Sequence, residues 1–269
     1  MPSSPRSAAN TAQSSSAFRS LARAGFVANG VVHGLLGGLV IAVSFGGDEQ
    51  TDQGGAFQAI AQAPFGAVLL WACAVALWAL GAWRAVEAFL ARGASGSDRA
   101  KRAVEQGGQA VAFFAVGGIA ASVALGGQSQ GDQSAQSASG SVLALPGGPL
   151  ILGAVGAIVV AIGIGFVVKG VRKSFRKKIT VPGGSVGSAL MGLGVAGYVA
   201  KGVALVTVGI LVIAAAVTVD PAAAGGLDGA VRALLQTPAG PWLGAAVGVG
   251  FVAYGVFTVL RAKYARLEA

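Results

Sequence analysis

Six apolar stretches, at about 24–45, 65–84, 108–126, 148–168, 190–217 and 241–260, alternate with short polar connections along the chain. Each comes close to the roughly 20 helical residues that cross a bilayer core about 30 Å thick. The pattern predicts an all-α polytopic integral membrane protein of six transmembrane helices. The first stretch is too long for the 7–15-residue apolar region of a signal peptide and aligns with the fifth, so it is read as a retained span.

Composition removes the soluble alternative. Hydrophobic residues make up 54% of the chain and charged residues 11%, against roughly 25% charged in soluble domains. A 269-residue chain would have nothing else in which to bury six such helices.

Charge then gives orientation. The net charge of +9 would suit nucleic acid, but its distribution does not, and no nucleic-acid partner is expected. All Lys and Arg except Arg232 fall in the two tails, the 2–3 and 4–5 connections, or the helix ends facing them. The other three connections carry Asp48, Glu49, Asp52, Asp132, Asp220 and Asp228. Because Lys and Arg are retained on the cytoplasmic side, both termini are expected to be cytoplasmic.

The spans form a repeat. Gly55-Ala56, Ala59, Gln62, Pro64, Gly66 and Leu69 return 174 residues later as Gly229-Ala230, Ala233, Gln236, Pro238, Gly240 and Leu243. A weaker middle copy keeps Pro146 and Gly148. The first helices match too: Gly25-Phe26-Val27-Ala28-Asn29-Gly30 aligns with Gly197-Tyr198-Val199-Ala200-Lys201-Gly202, and Gly37 with Gly209. The predicted organisation is a disordered polar tail at 1–17 and two-helix repeats at 18–92, 100–176 and 188–264. Since each repeat holds an even number of spans, the three hairpins run parallel rather than inverted, and a pseudo-threefold arrangement follows.

Smaller features refine this picture. Phe57 with Ile60, and Val231 with Leu234 and Leu235, predict short amphipathic helices at the outer interface. The Gln-, Ser- and Gly-rich stretch 127–141 is expected to be mobile. Gly30, Gly34 and Gly38, then Gly240, Gly244 and Gly248, and a mixed set from Gly153 to Gly165, recur four apart. Such stripes let membrane helices pack closely, within the chain or toward a homo-oligomer or membrane partner.

Candidate chemistry is sparse. Gly192-x-Gly194-x-x-Gly197 lies inside an apolar helix, where it cannot act as a strand-to-helix dinucleotide loop. One histidine and one cysteine, Cys73, exclude a His/Cys metal cluster. Asp48, Gln50, Asp52 and Gly54 resemble a calcium loop, but the bidentate glutamate position holds Ala59, so a solvated acidic turn is expected. No catalytic, cofactor-binding or metal-binding residues are assigned, and the chain is not expected to be an enzyme.

Three groups remain. His33, Asn29 and Lys201 are candidates for a polar pathway or for packing; His33 is expected near the midplane, and Lys201 close enough to an end to snorkel. Arg84 and Glu87 are expected to form an ion pair at the inner end of span 2. Lys169, Arg172, Lys173, Arg176 and Lys177 are expected on one face of a helix continuing from span 4, as a patch for anionic lipid headgroups. Trp71, Trp78 and Trp83 read as packing and interfacial anchors.

The paired-glycine outer loop, the block running from Gly55 to Gly66 and the Trp83-Arg84 helix end resemble a family of bacterial membrane proteins, domain of unknown function 1206. The resemblance spans nearly all of 18–264; the middle repeat departs from it at Ala144 and at Gly165-Phe166. It implies a two-helix unit in three copies and a bacterial inner membrane, and it brings no activity, cofactor or catalytic residue. The leading expectation is therefore a non-catalytic scaffold, lipid-interacting or accessory membrane subunit. The alternative is a small-solute or ion transporter or channel with a pathway near the repeat axis, lined by His33.

Overall fold

The computed structural model describes residues 15–91, 97–128 and 130–265. Six long helices are apolar enough to span a membrane: α1 (Ser16–Ser44), α3 (Gly66–Ala91), α4 (Ser97–Ala124), α6 (Gly148–Val171), α7 (Gly184–Thr218) and α9 (Gly240–Tyr264). Three short helices, α2 (Gln53–Ala61), α5 (Gly131–Leu143) and α8 (Leu227–Leu235), connect the two spans of each hairpin. The end of the bundle carrying them is the distal end here; the other is the terminal end.

The tightest helix pairs join different repeats: α3 with α4, α6 with α7, and α9 with α1. Within repeats, α1 packs on α3 and α7 on α9, while α4 and α6 form no comparable interface. The helices thus run round a pseudo-threefold ring with one open seam, between α4 and α6.

Small residues seven apart explain the inter-repeat pairs. Gly30 and Gly37 of α1 face Gly255 and Gly248 of α9; Gly202 and Gly209 of α7 face Gly163 and Gly156 of α6; Gly117 and Ala110 of α4 face Ala74 and Gly81 of α3. A Cβ on Gly255 would lie 2.6 Å from the Gly30 carbonyl oxygen, and one on Gly30 would lie 2.7 Å from that of Gly255. The same reciprocity joins Gly163 and Gly202, at 2.8 and 2.6 Å. Lipid gives apolar side chains no reason to associate, so backbone approach at small residues selects the partner; seven-residue spacing keeps the seam on one face of an antiparallel pair. The four-residue stripes expected from the sequence are used only in part: Gly244 and Gly248 of α9 both lie against α1, at Ser44 and at Gly37 with Ile41. A Cβ on Gly38 or Gly165 would meet nothing within 4 Å.

Each hairpin closes its distal turn with the same hydrogen bond. The N–H groups of Gly66, Gly148 and Gly240 donate to the carbonyls of Ala63, Leu145 and Thr237 at 2.9, 2.8 and 2.8 Å. Each of these glycines lies against backbone of the preceding short helix, where a side chain would collide.

Three carboxylates then close the distal ring. Asp52 caps α2 through the Gly55 N–H (2.8 Å) and accepts from the Gly131 N–H of repeat two (2.6 Å). Asp132 of repeat two accepts from the Gly226 and Gly229 N–H groups of repeat three, at 2.8 and 3.0 Å. Asp228 of repeat three accepts from the N–H and hydroxyl of Thr51 in repeat one, at 2.9 and 2.8 Å, and pairs with Arg232 at 2.8 Å. Burial pushes the Asp228 carboxyl up, but the bonds from Arg232 and Thr51 outweigh it and hold the group below the ordinary aspartate range. Carboxylates near helix N-termini meet exposed N–H groups and a favourable dipole, so each repeat ties down the next.

Three sequence expectations change. Residues 131–143 form α5, with Ser139 buried, instead of a mobile stretch; the segment has no proline to break it, and Asp132 anchors its first turn. Asp52 is 3% exposed and fully engaged, so that part of the turn is not solvated. Most of the tail expected over 1–17 lies outside the described residues, but helix already begins at Ser16, with Ser15 as its cap.

Candidate functional site

Lys201 does not snorkel. Helix α7 starts at Gly184, which places Lys201 about 25 Å along it at 1.5 Å per residue, too deep for the flank. Its Nζ lies 3.0 Å from His33 Nε2. The other ring nitrogen of His33, Nδ1, sits 2.8 Å from the Asn29 carbonyl oxygen one turn back on α1. The structure therefore brings His33, Asn29 and Lys201 together. His33 and Asn29 are enclosed, 7% and 8% exposed, and Lys201 is half-buried. The His33 ring packs on Tyr254 and Phe251 at centroid distances of 4.8 and 6.1 Å, and the Lys201 ammonium lies over Tyr254 (4.8 Å) and Phe166 (5.7 Å).

A second tier of cations lies toward the terminal end. Arg84 Nη1 contacts Glu87 at 2.6 Å, bringing the expected pair together, and also donates to Gln106 of α4 at 3.1 Å. Arg261 and Arg84 both lie over the Phe26 ring, 4.7 and 5.5 Å from its centroid. Lys169 lies over Tyr198 (5.0 Å) and reaches Glu105 of α4 at 3.6 Å. Tyr198 is within electrostatic reach of Arg84, Lys169 and Arg261 together. The Nε atoms of Arg84 and Arg261 are buried and make no hydrogen bond among the described residues. Around Tyr198, Tyr254, Phe26 and Phe166, four cationic side chains thus meet two carboxylates.

The sequence held a signal for this tier. Phe26 and Tyr198 occupy the same place after the shared first-helix glycine, and Glu87, Lys169 and Arg261 share a place near the ends of the second helices. In the fold, each of the latter belongs to the helix packed against the next repeat's first helix. Arg261 meets Phe26 and Lys169 meets Tyr198; beside Glu87, Arg84 meets Gln106.

The basic patch is divided. Helix α6 ends at Val171, and Lys173 takes a left-handed φ of 53° that breaks it. A 3-10 turn, Ser174–Lys178, then folds Phe175 and Ile179 into a cluster with Leu190, Tyr198, Tyr254 and Phe257. The helix expected to continue through these residues is absent because burying these two side chains turns the chain back. Lys169 points inward, while Arg172, Lys173, Arg176 and Lys177 remain exposed. Trp83 is fully buried and Trp71 exposed. Among the described residues, no group of three His, Cys, Asp or Glu side chains is placed to hold a metal ion.

Fold and site together define a multi-pass helical membrane protein of three like-oriented hairpins with a polar, aromatic-walled interior. The model of the family described as Domain of Unknown Function (DUF1206) matches three times, at 24–91, 105–173 and 196–265, and the chain belongs to that family. It is also similar to Uncharacterized protein YxxB of Bacillus subtilis (strain 168), 28% identical over 250 residues covering 90% of this chain and 89% of that one. No solved structure matches.

Proposed function

We propose that this protein is a non-catalytic component of a bacterial inner membrane, with cytoplasmic termini, that engages anionic lipid and serves as a scaffold or accessory subunit. The observation that carries the reading is the mutual engagement of its deepest polar groups. Lys201 contacts His33, His33 bonds the Asn29 backbone carbonyl, and Phe166, Phe251 and Tyr254 wall the pair, which suits a packed bundle better than an open conduit.

Lipid engagement is supported by Arg172, Lys173, Arg176 and Lys177, exposed at the terminal end. Each such residue attracts anionic lipid by about 1 kcal/mol near the surface. Lys173 and Arg176 also line a surface groove of about 690 Å³ with Pro182, Ser188 and Met191. The test is the selectivity of spin-labelled phosphatidylglycerol over phosphatidylcholine at the protein's lipid boundary. Neutralising the four exposed cations together should lower that selectivity; unchanged selectivity refutes the lipid-engaging role.

A second reading, a small-solute or ion transporter, draws on the His33–Lys201 contact, since ionisable groups at depth often mark transport paths. Proteoliposome flux of protons, potassium and chloride separates the two. The scaffold reading expects wild type and His33→Ala to match protein-free leak, whereas flux present in wild type and lost in His33→Ala establishes transport.

A further inference from the structure

The open seam between α4 and α6 exposes a face that the other two repeats bury. On α6, Val155, Ile158 and Ile162 are 43%, 59% and 49% exposed, and Gly165 is uncovered. Their counterparts in α9 are Val247, Gly250, Tyr254 and Phe257, all buried. Those in α3 are Cys73, Ala76, Leu80 and Trp83, of which the last three are buried. In repeats one and three this face packs on the first helix of the same repeat; in repeat two it does not.

The seam ends at the cations. Lys169 is two turns beyond Ile162 on the same helix, and its contact with Glu105 joins α6 to α4 at the terminal end. Arg84 reaches α4 through Gln106, and the unpartnered Nε atoms of Arg84 and Arg261 lie in the same cluster. From Lys169 to Val155 the face runs about 21 Å at 1.5 Å per residue. Half of a bilayer core is about 15 Å, so the face is long enough for an acyl chain from one leaflet.

We propose that the α4–α6 seam holds one anionic phospholipid, its phosphate at Arg84, Arg261 and Lys169 and an acyl chain along Ile162 and Ile158. This site rests on the lipid-engaging reading above but differs from the exposed patch: it takes one molecule, held in a crevice. Charge complementarity selects the occupant. Glu87 and Glu105 pair with Arg84 and Lys169 and leave the charge of the Arg84, Arg261 and Lys169 cluster incompletely compensated; a phosphate diester supplies a negative charge and acceptor oxygens that Arg binds well. The apolar seam selects a lipid over a soluble phosphate.

Native mass spectrometry of the full chain, extracted from phosphatidylglycerol-containing vesicles, tests this. Wild type should retain one phosphatidylglycerol per chain. Ile162→Trp, which fills the exposed seam without touching the buried core, should lower retention, and Arg261→Gln should lower it about tenfold, the scale of one lost charge-assisted contact. Neutralising Arg172, Lys173, Arg176 and Lys177 should leave this molecule bound, so failure of the patch and failure of the seam are separable. A wild type that retains no phosphatidylglycerol overturns the site, as does retention at the wild-type level in both seam variants. In phosphatidylcholine nanodiscs, a thermal shift with inorganic phosphate that Arg261→Gln abolishes, without any lipid retained, assigns the cations to free phosphate and likewise overturns the lipid proposal.

Discussion

Lys201 and His33, 168 positions apart in the chain, meet with the ammonium nitrogen 3.0 Å from the imidazole Nε2. A carbonyl only accepts, so the ring nitrogen facing the Asn29 oxygen must carry the hydrogen, which leaves Nε2 to accept from Lys201. The pair locks repeat one to repeat three inside the ring.

Removing one member leaves the other stranded. His33→Ala should cost about 1–3 kcal/mol, the penalty for an unsatisfied buried donor, and lower the thermal unfolding midpoint in detergent. Replacing both partners by leucine should restore most of the loss, because apolar groups of similar volume commonly substitute for a buried polar pair. Leu205 already stands where repeat three aligns with His33, so a leucine fits this register. If the double variant unfolds at or below the temperature of His33→Ala, the contact is not the source of the loss.

The Asp228 clasp makes stability depend on acid. The Asp228 carboxyl is held below its ordinary range by Arg232 and Thr51, so it binds a proton more readily unfolded than folded. Its contribution is therefore complete above the unfolded value, about 3.9, and is lost as pH falls through the depressed folded one. Asp228→Asn should flatten the pH dependence of the unfolding midpoint in that acid window and lower the midpoint at neutral pH. A variant whose acid profile parallels wild type would place the sensitivity elsewhere.

Hydropathy, charge asymmetry and the motif around Pro64 and Pro238 made the six spans and their threefold repetition legible. Partner choice was not. Gly30, Gly34, Gly37 and Gly38 all sit on α1, so small residues occur both four and seven apart, and spacing alone cannot say which face meets another backbone. Lys201 was misplaced because its alignment with Asn29 compares repeats with each other, whereas its contact with His33 crosses between them. The length of α7 before Lys201, which sets its depth, was hidden by the glycines that open it. Helix α5 was illegible because its Gln and Ser residues give almost no hydrophobic period; what holds it is Asp132 bonding to another repeat.

The seven-residue register can be separated from the four-residue one by two adjacent glycines on α1. A Cβ on Gly37 would lie 2.5 Å from the Gly248 carbonyl oxygen and 2.6 Å from the Val252 nitrogen, both backbone atoms that cannot swing aside. Gly37→Ala must therefore push α1 from α9, at about 1–3 kcal/mol, the usual range for overpacking. Gly38 is exposed with nothing near its missing side chain, and alanine there gains up to about 1 kcal/mol of helix propensity. The thermal midpoint should thus fall for Gly37→Ala and stay level or rise for Gly38→Ala. Equal effects of the two alanines would mean that α1 and α9 do not meet along the Gly30–Gly37 seam, and the ring order would have to be redrawn.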